Sequence, residues 1–293
     1  MTRAPRPTIE RIWFVYLLCV SAVALLVPAS GAEGHDVTAF LIIQAIVALG
    51  VCACVLLLRR GEARARLPRA ALAIVGLPVV FSSLCYLLPH VHPEAYEFTW
   101  LAIDRAIFGG DIARITSGMP NWCVELLQLT YASFYPLCIA AAGLAWWGSG
   151  ARAFDRAMLL MVGGFLCSYL GYLLLPTIGP KVVLDDVASP QGVWLTASLR
   201  AWIDAAEASH WDCFPSGHTM MTTTALIVLW RWCRRAFWWL LVPALLLIAS
   251  TMLLHYHWSA DVAAGALLAW PCARLCDWLA FRDDWPAVQA STK

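Results

Sequence analysis

Long apolar stretches constrain the fold of this chain more than any other feature of its sequence. Hydrophobic residues make up 61% of the 293 residues and charged residues only 13%. Because only helices and closed barrels satisfy their own backbone inside a bilayer, apolar stretches of roughly 17–25 residues predict spanning helices. We therefore expect an all-α, polytopic transmembrane helical bundle. It has about eight spans, placed at Ile12–Pro28, Val37–Leu58, Ala71–Leu88, Trp122–Trp147, Ala157–Pro176, Ser216–Trp232, Phe237–Leu254 and Trp258–Leu279.

The first apolar stretch has a second interpretation, as a secretory signal peptide. Arg3, Arg6 and Arg11 precede it, and the small residues of 29–32 (Ala-Ser-Gly-Ala) follow it. Its apolar run is long for a signal peptide, so we interpret it as an uncleaved span. The chain then divides into two N-terminal spans with a basic loop (1–70), a six-span core (71–282) and a C-terminal tail (283–293).

The basic residues indicate which ends of the spans face the cytoplasm. With a cytoplasmic N-terminus, sixteen of the twenty Lys and Arg residues fall on the cytoplasmic side. The four on the other side are Arg105, Arg114, Lys181 and Arg200. Cytoplasmic loops carry an excess of positive charge, so the sequence predicts an integral membrane protein with both termini in the cytoplasm.

Charge and cysteine content exclude some partners and leave others open. The net charge is only +1, so bulk charge predicts no nucleic-acid partner. Most of the eleven cysteines lie inside apolar stretches, where we interpret them as small buried hydrophobic residues. Cys123 and Cys213 lie near loops and are able to pair, although nothing in the sequence requires it. The chain has no CxxC pair, the spacing that would support a zinc site.

Between the third and fourth spans lies a segment of mixed character. Apolar side chains of Trp100 and Ile103 alternate with Asp104 and Arg105, and the pattern stops at Gly109-Gly110. This arrangement predicts an interfacial amphipathic helix on the non-cytoplasmic side. Such a helix either covers a site opening or braces the bundle.

Three polar clusters fall at the non-cytoplasmic ends of spans. They are Thr177-Ile178-Gly179-Pro180-Lys181, Pro215-Ser216-Gly217-His218, and the stretch from His255 to Asp261. Ionisable groups near a bilayer core are expensive and usually functional. We therefore expect these three clusters to form one site.

The chemistry of the clusters suits a phosphate. Pro215 suits the first position of a helix, and an exposed helix N-terminus binds anions. Ser216 supplies a hydroxyl, Gly217 permits close approach to the backbone, and His218 is able to exchange a proton near neutral pH. An ordinary capped helix explains the same residues without a ligand.

A second set of residues complements that helix start. His257 and Asp261 are four residues apart and would share one helix face, where the carboxylate orients a nucleophilic or basic imidazole. His218 would donate a proton to a leaving oxygen. Lys181, with the backbone of Ser216 and Gly217, would stabilise charge on a transferring phosphoryl group.

These residues resemble a known family. Pro215-Ser216-Gly217-His218 and His257-x-x-x-Asp261 are similar, in order and position, to the second and third motifs of the type 2 phosphatidic acid phosphatase superfamily. The resemblance covers roughly Ala71 to Leu279 and implies a six-helix phosphatase-like core. It also implies that His257 forms a phosphohistidine, that Asp261 supports it and that His218 is the general acid. No metal and no other cofactor is implied.

The sequence departs from the family pattern at two cationic positions. Leu174 stands where the first motif has its lysine, and Thr251 stands where the third motif has its arginine. These departures, with the Tyr131-x-x-Phe134-Tyr135 pattern, resemble the divergent branch of inositol phosphorylceramide synthases and sphingomyelin synthases. The family implies an enzyme acting in the bilayer on a phospholipid, isoprenoid phosphate or sphingolipid phosphate.

Several alternatives stay open at this point. The phosphoryl group passes to water in a phosphatase and to an alcohol in a headgroup transferase, while a degenerate scaffold would only bind or transport lipid. His255, Asp212 and Tyr135 are weaker site candidates, and His255 would replace His257 if that assignment is wrong. A metal site formed by His218, His257, Asp261 and Asp212 is a further alternative.

Overall fold

The computed structural model describes residues 7–27, 36–91, 96–206 and 209–291. Within these residues the chain is helical, with one short 3₁₀ turn at Leu84–Tyr86. The helices are α1 Thr8–Leu26, α2 Val37–Arg59, α3 Glu62–Ser83, α4 Leu88–Val91, α5 Glu97–Phe108, α6 Ile112–Thr116, α7 Asn121–Ala132, α8 Phe134–Ser149, α9 Ala151–Leu174, α10 Pro180–Val183, α11 Thr196–Ala206, α12 Gly217–Trp232, α13 Arg234–Leu253 and α14 Ser259–Ser291.

The all-α, polytopic prediction is confirmed by the number of long apolar helices. Six helices in the described residues are long and apolar enough to cross a membrane: α1, α2, α3, α9, α13 and α14. The predicted fourth span is a broken pair, because α7 and α8 meet at an angle of 49°. The predicted sixth span is α12, which has 16 residues and is therefore shorter than the roughly 20 residues that a full crossing requires.

The third helix begins nine residues before the predicted span. The expected domain boundary after residue 70 therefore falls inside α3. Two arginines in its first turns are paired with other helices: Arg66 binds Asp155 of α9 at 2.8 Å, and Arg69 binds Glu10 of α1 at 2.5 Å. The Arg69–Glu10 pair is almost entirely buried, so α3 is fixed to the bundle by its arginines.

Helices α9 and α12 form the centre of the bundle. Of the most apolar window of α9, 72% is buried, against 22–39% for the other five spanning helices. Around this pair, α12 packs against α8, α9, α13 and α14, while α1 and α3 pack against α9. Exposed side chains on the outer helices, such as Leu49, Trp239 and Leu267, are apolar, as a lipid-facing surface requires.

The predicted amphipathic segment forms α5, and it braces the bundle. The helix ends at Gly109, whose left-handed φ of 74° suits a residue without a side chain. Asp104 of α5 is buried, and its carboxylate accepts hydrogen bonds from the backbone N–H of Ser259 at 3.1 Å and from the Ser259 hydroxyl. The start of α14 is thus held in place by α5.

Some sequence predictions lie outside the described residues. These are the contribution of Arg3 and Arg6 to the cytoplasmic charge, the signal-cleavage alternative at 29–32, and the last two residues of the C-terminal tail. The remainder of that tail continues α14 as far as Ser291.

Candidate functional site

The three polar clusters converge on one cleft at one end of the bundle. The rings of His218 and His257 lie across it from each other, with centroids 6.0 Å apart and an angle of 58° between their planes. Both imidazoles line the cleft, together with Lys181 and Gly217. Lys181 and His257 are 76 positions apart in the chain. The ends of α9, α12 and α14 bring them into the same cleft.

The start of α12 differs in detail from the prediction for Pro215. The helix begins at Gly217, so Pro215 lies before the cap and not at the first helical position. Ser216 is the N-cap, and its fully buried hydroxyl accepts a hydrogen bond from the Thr219 N–H at 3.2 Å. The Phe214–Pro215 peptide is cis. Because the Ser216 side chain is used inside the fold, only Gly217 and His218 of this motif line the cleft.

A neighbouring side chain leaves no room for a Cβ atom at Gly217. A Cβ atom at this position would lie 2.4 Å from the Tyr172 hydroxyl oxygen. Tyr172 of α9, which also lines the cleft, therefore occupies the space beside the Gly217 Cα.

His218 is held between aromatic rings. Its ring stacks on Tyr131 at a centroid distance of 4.4 Å and lies 4.2 Å from the ring of Phe134. Tyr131 stacks in turn on Tyr256 at 4.2 Å. These ring contacts fix the plane of the His218 imidazole. Aromatic packing, and not a charged partner, therefore orients the ring.

His257 and Asp261 are close, but they do not share a helix face as predicted. Helix α14 begins at Ser259, so His257 precedes it. Asp261 reaches back to accept the Trp258 N–H at 2.9 Å, in the manner of the acidic residue of a capping box. Its Oδ2 lies 3.6 Å from His257 Nδ1. This distance is longer than a hydrogen bond.

Cys213 lies between these two groups. Its Sγ is 2.7 Å from Asp261 Oδ2 and 3.3 Å from His257 Nδ1. The thiol is buried, and burial together with the neighbouring Asp261 carboxylate raises its pKa well above the usual value. It therefore remains a neutral thiol, and its S–H group donates a hydrogen bond to the Asp261 carboxylate. Cys213 is free and does not pair with Cys123.

The two positions where the family cations are missing have different surroundings. Leu174 is 72% exposed at the end of α9. Thr251 is fully buried in α13, and its carbonyl accepts the backbone N–H groups of both Tyr256 and His257 at 2.9 Å. Thr251 therefore holds the backbone of the histidine, and its side chain lies in packed protein.

Lys181 lies at the mouth of the cleft with its charge already paired. Its Nζ is 2.6 Å from each carboxylate oxygen of Asp204 in α11. It also lies 5.8 Å from the centre of the Tyr256 ring. Its backbone N–H donates to the carbonyl of His255 at 2.9 Å. The segment that carries the lysine is thus fixed to the segment that carries His257.

Of the three weaker site candidates, one lies outside the cleft and two line it. His255 points away from the cleft, with Nε2 2.8 Å from Thr116 Oγ1. Burial lowers its pKa to about 4, and Arg200 adds to the effect. Asp212 and Tyr135 both line the cleft. Desolvation raises the pKa of the half-buried Asp212 to about 6, although the nearby His257 opposes the change.

Cys213, Tyr172 and Asp204 also border the candidate site, and the sequence analysis predicted no role there for any of them. Cysteine is common in this chain as a buried hydrophobic residue, Tyr172 belongs to an apolar span, and Asp204 is one acid in a long connection. The only available signal for Cys213 was its position four residues before Gly217. Asp204 is brought to the site because Glu125 of α7 anchors α11, accepting the N–H groups of Val193, Leu195 and Thr196.

The structure brings together a different set of possible metal ligands from the set that the sequence predicted. Among the described residues, Cys213, His257 and Asp261 place one ligand atom each within 4.8 Å of one another. His218 and Asp212 of the predicted set are not part of this group. Asp261 Oδ1 is buried without a hydrogen-bond partner in the described part of the chain. A thiol, an imidazole and a carboxylate are ligands that zinc accepts.

Fold and site together define a class: a polytopic helical membrane protein with two imidazoles, a carboxylate and an ammonium group gathered at one end of an apolar cleft. The family model of the PAP2 superfamily matches residues 101–275, which is more than half of the chain, and the protein belongs to that superfamily. No curated protein and no solved structure matches the chain. The narrower resemblance to inositol phosphorylceramide and sphingomyelin synthases remains a prediction.

Proposed function

We propose that the protein is an integral-membrane lipid phosphatase or phosphotransferase that works through a phosphohistidine. The observation that carries the proposal is the pair of imidazoles, 6.0 Å apart in one cleft that continues into an apolar groove. PAP2 superfamily membership supports a lipid-phosphate substrate and this type of reaction. The predicted charge distribution would place the site on the non-cytoplasmic face.

The geometry supports His257 as the nucleophile. Its Nδ1 faces Cys213 and Asp261, which leaves Nε2 as the atom directed at a substrate. In the proposed step, Nε2 forms a bond to phosphorus while the bond from phosphorus to the leaving oxygen breaks. Asp261 then stabilises the positive charge that develops on the His257 ring.

His218 would transfer the protons. It starts as an imidazolium and donates a proton to the leaving oxygen in the first step. In the second step the incoming water or alcohol oxygen bonds to phosphorus, the bond from phosphorus to His257 Nε2 breaks, and His218 takes the proton of the incoming group, which restores the imidazolium. Lys181 and the backbone of Gly217 would stabilise the charge on the equatorial phosphoryl oxygens. Ser216 contributes by capping α12, which fixes the position of His218.

Water and an alcohol are both possible acceptors for the same intermediate. The carboxylates of Asp204 and Asp212 line the polar end of the cleft, and carboxylates accept hydrogen bonds from hydroxyl groups. This observation favours the alternative of a headgroup transferase similar to inositol phosphorylceramide synthase. A lipid-binding or transport protein on the same scaffold is the non-enzymatic alternative.

Turnover by purified protein tests the proposal. The protein is presented with lipid phosphates in detergent, with and without inositol as acceptor, and both phosphate release and headgroup transfer are measured. We expect His257→Gln to abolish turnover, and acid-labile phosphate to appear on wild-type protein after rapid quenching. His255→Gln is the matched control and should retain activity, since His255 lies outside the cleft. Full activity in His257→Gln would refute the assignment of the nucleophile.

The same assay separates the alternatives. Phosphate release without acceptor supports a phosphatase, and transfer that depends on inositol supports the transferase. Binding of lipid phosphate with no turnover under either condition would instead support the binding or transport protein.

A further inference from the structure

Cys213 lies where the three polar clusters meet. Its backbone N–H donates to the carbonyl of Thr177, in the first cluster, at 3.2 Å. It lies two residues before Pro215, where the second cluster begins. Its buried Sγ is 3.5 Å from the carbonyl oxygen of Tyr256 and 3.3 Å from His257 Nδ1, both in the third cluster. Cys213 is therefore held by the first and third clusters and leads directly into the second.

The sulfur atom, and not the carboxylate, is the closer neighbour of the His257 ring nitrogen. Asp261 Oδ2 lies 3.6 Å from Nδ1, whereas a nitrogen–oxygen hydrogen bond is about 2.7–3.2 Å long. Cys213 Sγ lies 3.3 Å from the same nitrogen, and a thiol is both a weak donor and a weak acceptor of hydrogen bonds. Of these two groups, the thiol is thus the one in position to hydrogen-bond Nδ1.

The proton of the thiol is directed at the carboxylate. Burial and the neighbouring Asp261 raise the pKa of Cys213 well above its usual value, so the sulfur keeps its proton. Asp261 Oδ2 is 2.7 Å from Sγ. An ionised carboxylate only accepts hydrogen bonds, and it accepts them more strongly than a neutral imidazole nitrogen does. The S–H group therefore points at Oδ2, and the sulfur lone pairs are left facing His257.

This arrangement selects one tautomer of His257. An unprotonated Nδ1 would direct its lone pair at the sulfur lone pairs, with the Asp261 carboxylate next to them. A proton on Nδ1 removes this repulsion, because Nδ1–H then donates to Sγ while S–H donates to Oδ2. In a neutral imidazole the other nitrogen is then unprotonated. Nε2 would therefore carry the lone pair that an attack on phosphorus requires.

We infer that Cys213 is a positioning residue for the nucleophile: its thiol joins Asp261 to His257 and holds the imidazole in the Nδ1–H tautomer. The inference rests on the proposed function, in which Nε2 attacks phosphorus. The thiol keeps its proton through the cycle, and no covalent bond to sulfur forms or breaks. Asp261 acts on the ring through the sulfur instead of by direct contact.

A packing role for Cys213 makes the opposite prediction from a positioning role. Free cysteine behaves as a small buried hydrophobic residue, and alanine would then replace it better than serine, which buries a hydroxyl. A hydroxyl both donates and accepts hydrogen bonds, whereas the side chain of alanine does neither. The order of activity between the two variants therefore distinguishes the two roles.

The first test compares Cys213→Ser with Cys213→Ala. Purified protein in detergent is assayed with dioleoyl phosphatidate and farnesyl phosphate, and kcat and KM are measured on the one that is turned over faster. We expect Cys213→Ala to lower kcat about tenfold or more with little change in KM, because partners that fix a histidine tautomer contribute about this much. Cys213→Ser should retain a higher kcat than Cys213→Ala. Equal kcat in the two variants, or a higher kcat in Cys213→Ala, would overturn the inference.

A second buried cysteine provides the matched control. Cys276 of α14 is as deeply buried as Cys213, and it packs beside Gly163 of α9, away from the two histidines. Serine and alanine at this position should both leave kcat unchanged. If Cys276→Ala lost as much kcat as Cys213→Ala, the loss would be a general response of the bundle to a missing thiol, and the positioning role would be wrong.

The tautomer is also measured directly in the wild-type protein, which keeps the inference testable if both Cys213 variants fail to fold. Nitrogen NMR of protein with isotope-labelled histidine reports which ring nitrogen carries the proton. The signals of His257 are those that are lost in His257→Gln. At a pH where this ring is neutral, we expect the proton on Nδ1, and a mixture of tautomers in Cys213→Ala. A proton on Nε2 in the wild-type protein would contradict the inference.

Failure of this inference and failure of the proposed function have different signatures. Wild-type protein without turnover on any lipid phosphate would contradict the enzyme, and the NMR measurement would still decide the role of the thiol. Normal wild-type turnover with the opposite order of the two Cys213 variants would contradict only the positioning role.

Discussion

Lys181 Nζ lies 2.6 Å from both carboxylate oxygens of Asp204, so the cation assigned to the substrate phosphate is already paired. The carboxylate uses hydrogen-bond donors of the lysine that phosphoryl oxygens would also use. A phosphate that binds Lys181 would compete with Asp204 for the N–H donors of the ammonium group. This competition is internal to the protein and would apply equally to substrate and to released phosphate.

Asp204→Asn is expected to strengthen substrate binding. The pair is partly exposed, with 28% of the lysine and 46% of the aspartate side chain accessible, and such pairs contribute at most about 1 kcal/mol. We therefore expect KM to fall by up to about fivefold with little change in kcat. The control Asp186→Asn removes a surface carboxylate that pairs with Arg114. An increase in KM for Asp204→Asn would show that the carboxylate helps binding.

A titration at His255 is expected to weaken the fold in acid. Burial lowers the pKa of this imidazole to about 4, against about 6.5 in an unfolded chain. Between these values only the unfolded state binds the proton, so stability is complete above pH 6.5 and decreases as the pH falls toward 4. Thermal unfolding in detergent across this range measures the loss. His255→Gln should show a shallower pH dependence, and an identical slope would contradict the assignment.

The ion pair between Glu10 and Arg69 is expected to stabilise the N-terminal helices. Both side chains are buried, and the guanidinium donates to both carboxylate oxygens. Glu10→Gln leaves a buried arginine without its charge partner, a change that costs about 3 kcal/mol. Denaturant or thermal unfolding measures this cost. The double variant Glu10→Gln with Arg69→Met should recover part of the stability, and a larger loss in the double variant would be inconsistent with this explanation.

Metal ions provide a test of the cluster at Cys213. We expect turnover to persist after treatment with a chelator, since the proposed transfer uses only protein groups. Added Zn²⁺ should inhibit, because zinc bound to Cys213, His257 and Asp261 would occupy the groups that support the nucleophile. Cys213→Ala should weaken the inhibition by Zn²⁺. The pH dependence of turnover should also be measured for this variant. Loss of turnover with chelator, restored by zinc, would favour the metal alternative.

The candidate site shows which of its features sequence patterns predict and which they do not. His218, His257 and Lys181 were predicted because ionisable residues at span ends are rare in so apolar a chain. The pairing of His257 with Asp261 was predicted for a different reason from the one found. A spacing of four suggested a shared helix face, whereas the helix begins after His257 and the carboxylate reaches back through a cap. Spacing therefore predicted the proximity of these residues but could not predict its geometry.

Residues that matter through distant contacts were not predictable in this way. Cys213 and Asp204 are unremarkable in sequence, and their importance depends on which groups lie opposite them. The same holds for Arg66, whose neighbours in sequence mark it as a cytoplasmic charge. In the structure it joins α3, α8 and α9 through its contacts with Asp155 and Trp146.

The sequence by itself determined that this is a helical membrane protein, since hydrophobic length alone fixes spanning helices in a bilayer. It also predicted which residues carry chemistry, because polar groups in such a chain need a function or a partner. Only the tertiary structure decided that the two imidazoles lie in one cleft with ring centroids 6.0 Å apart and that Lys181 is paired with Asp204. These features depend on contacts between residues far apart in the chain, which local pattern and composition do not encode.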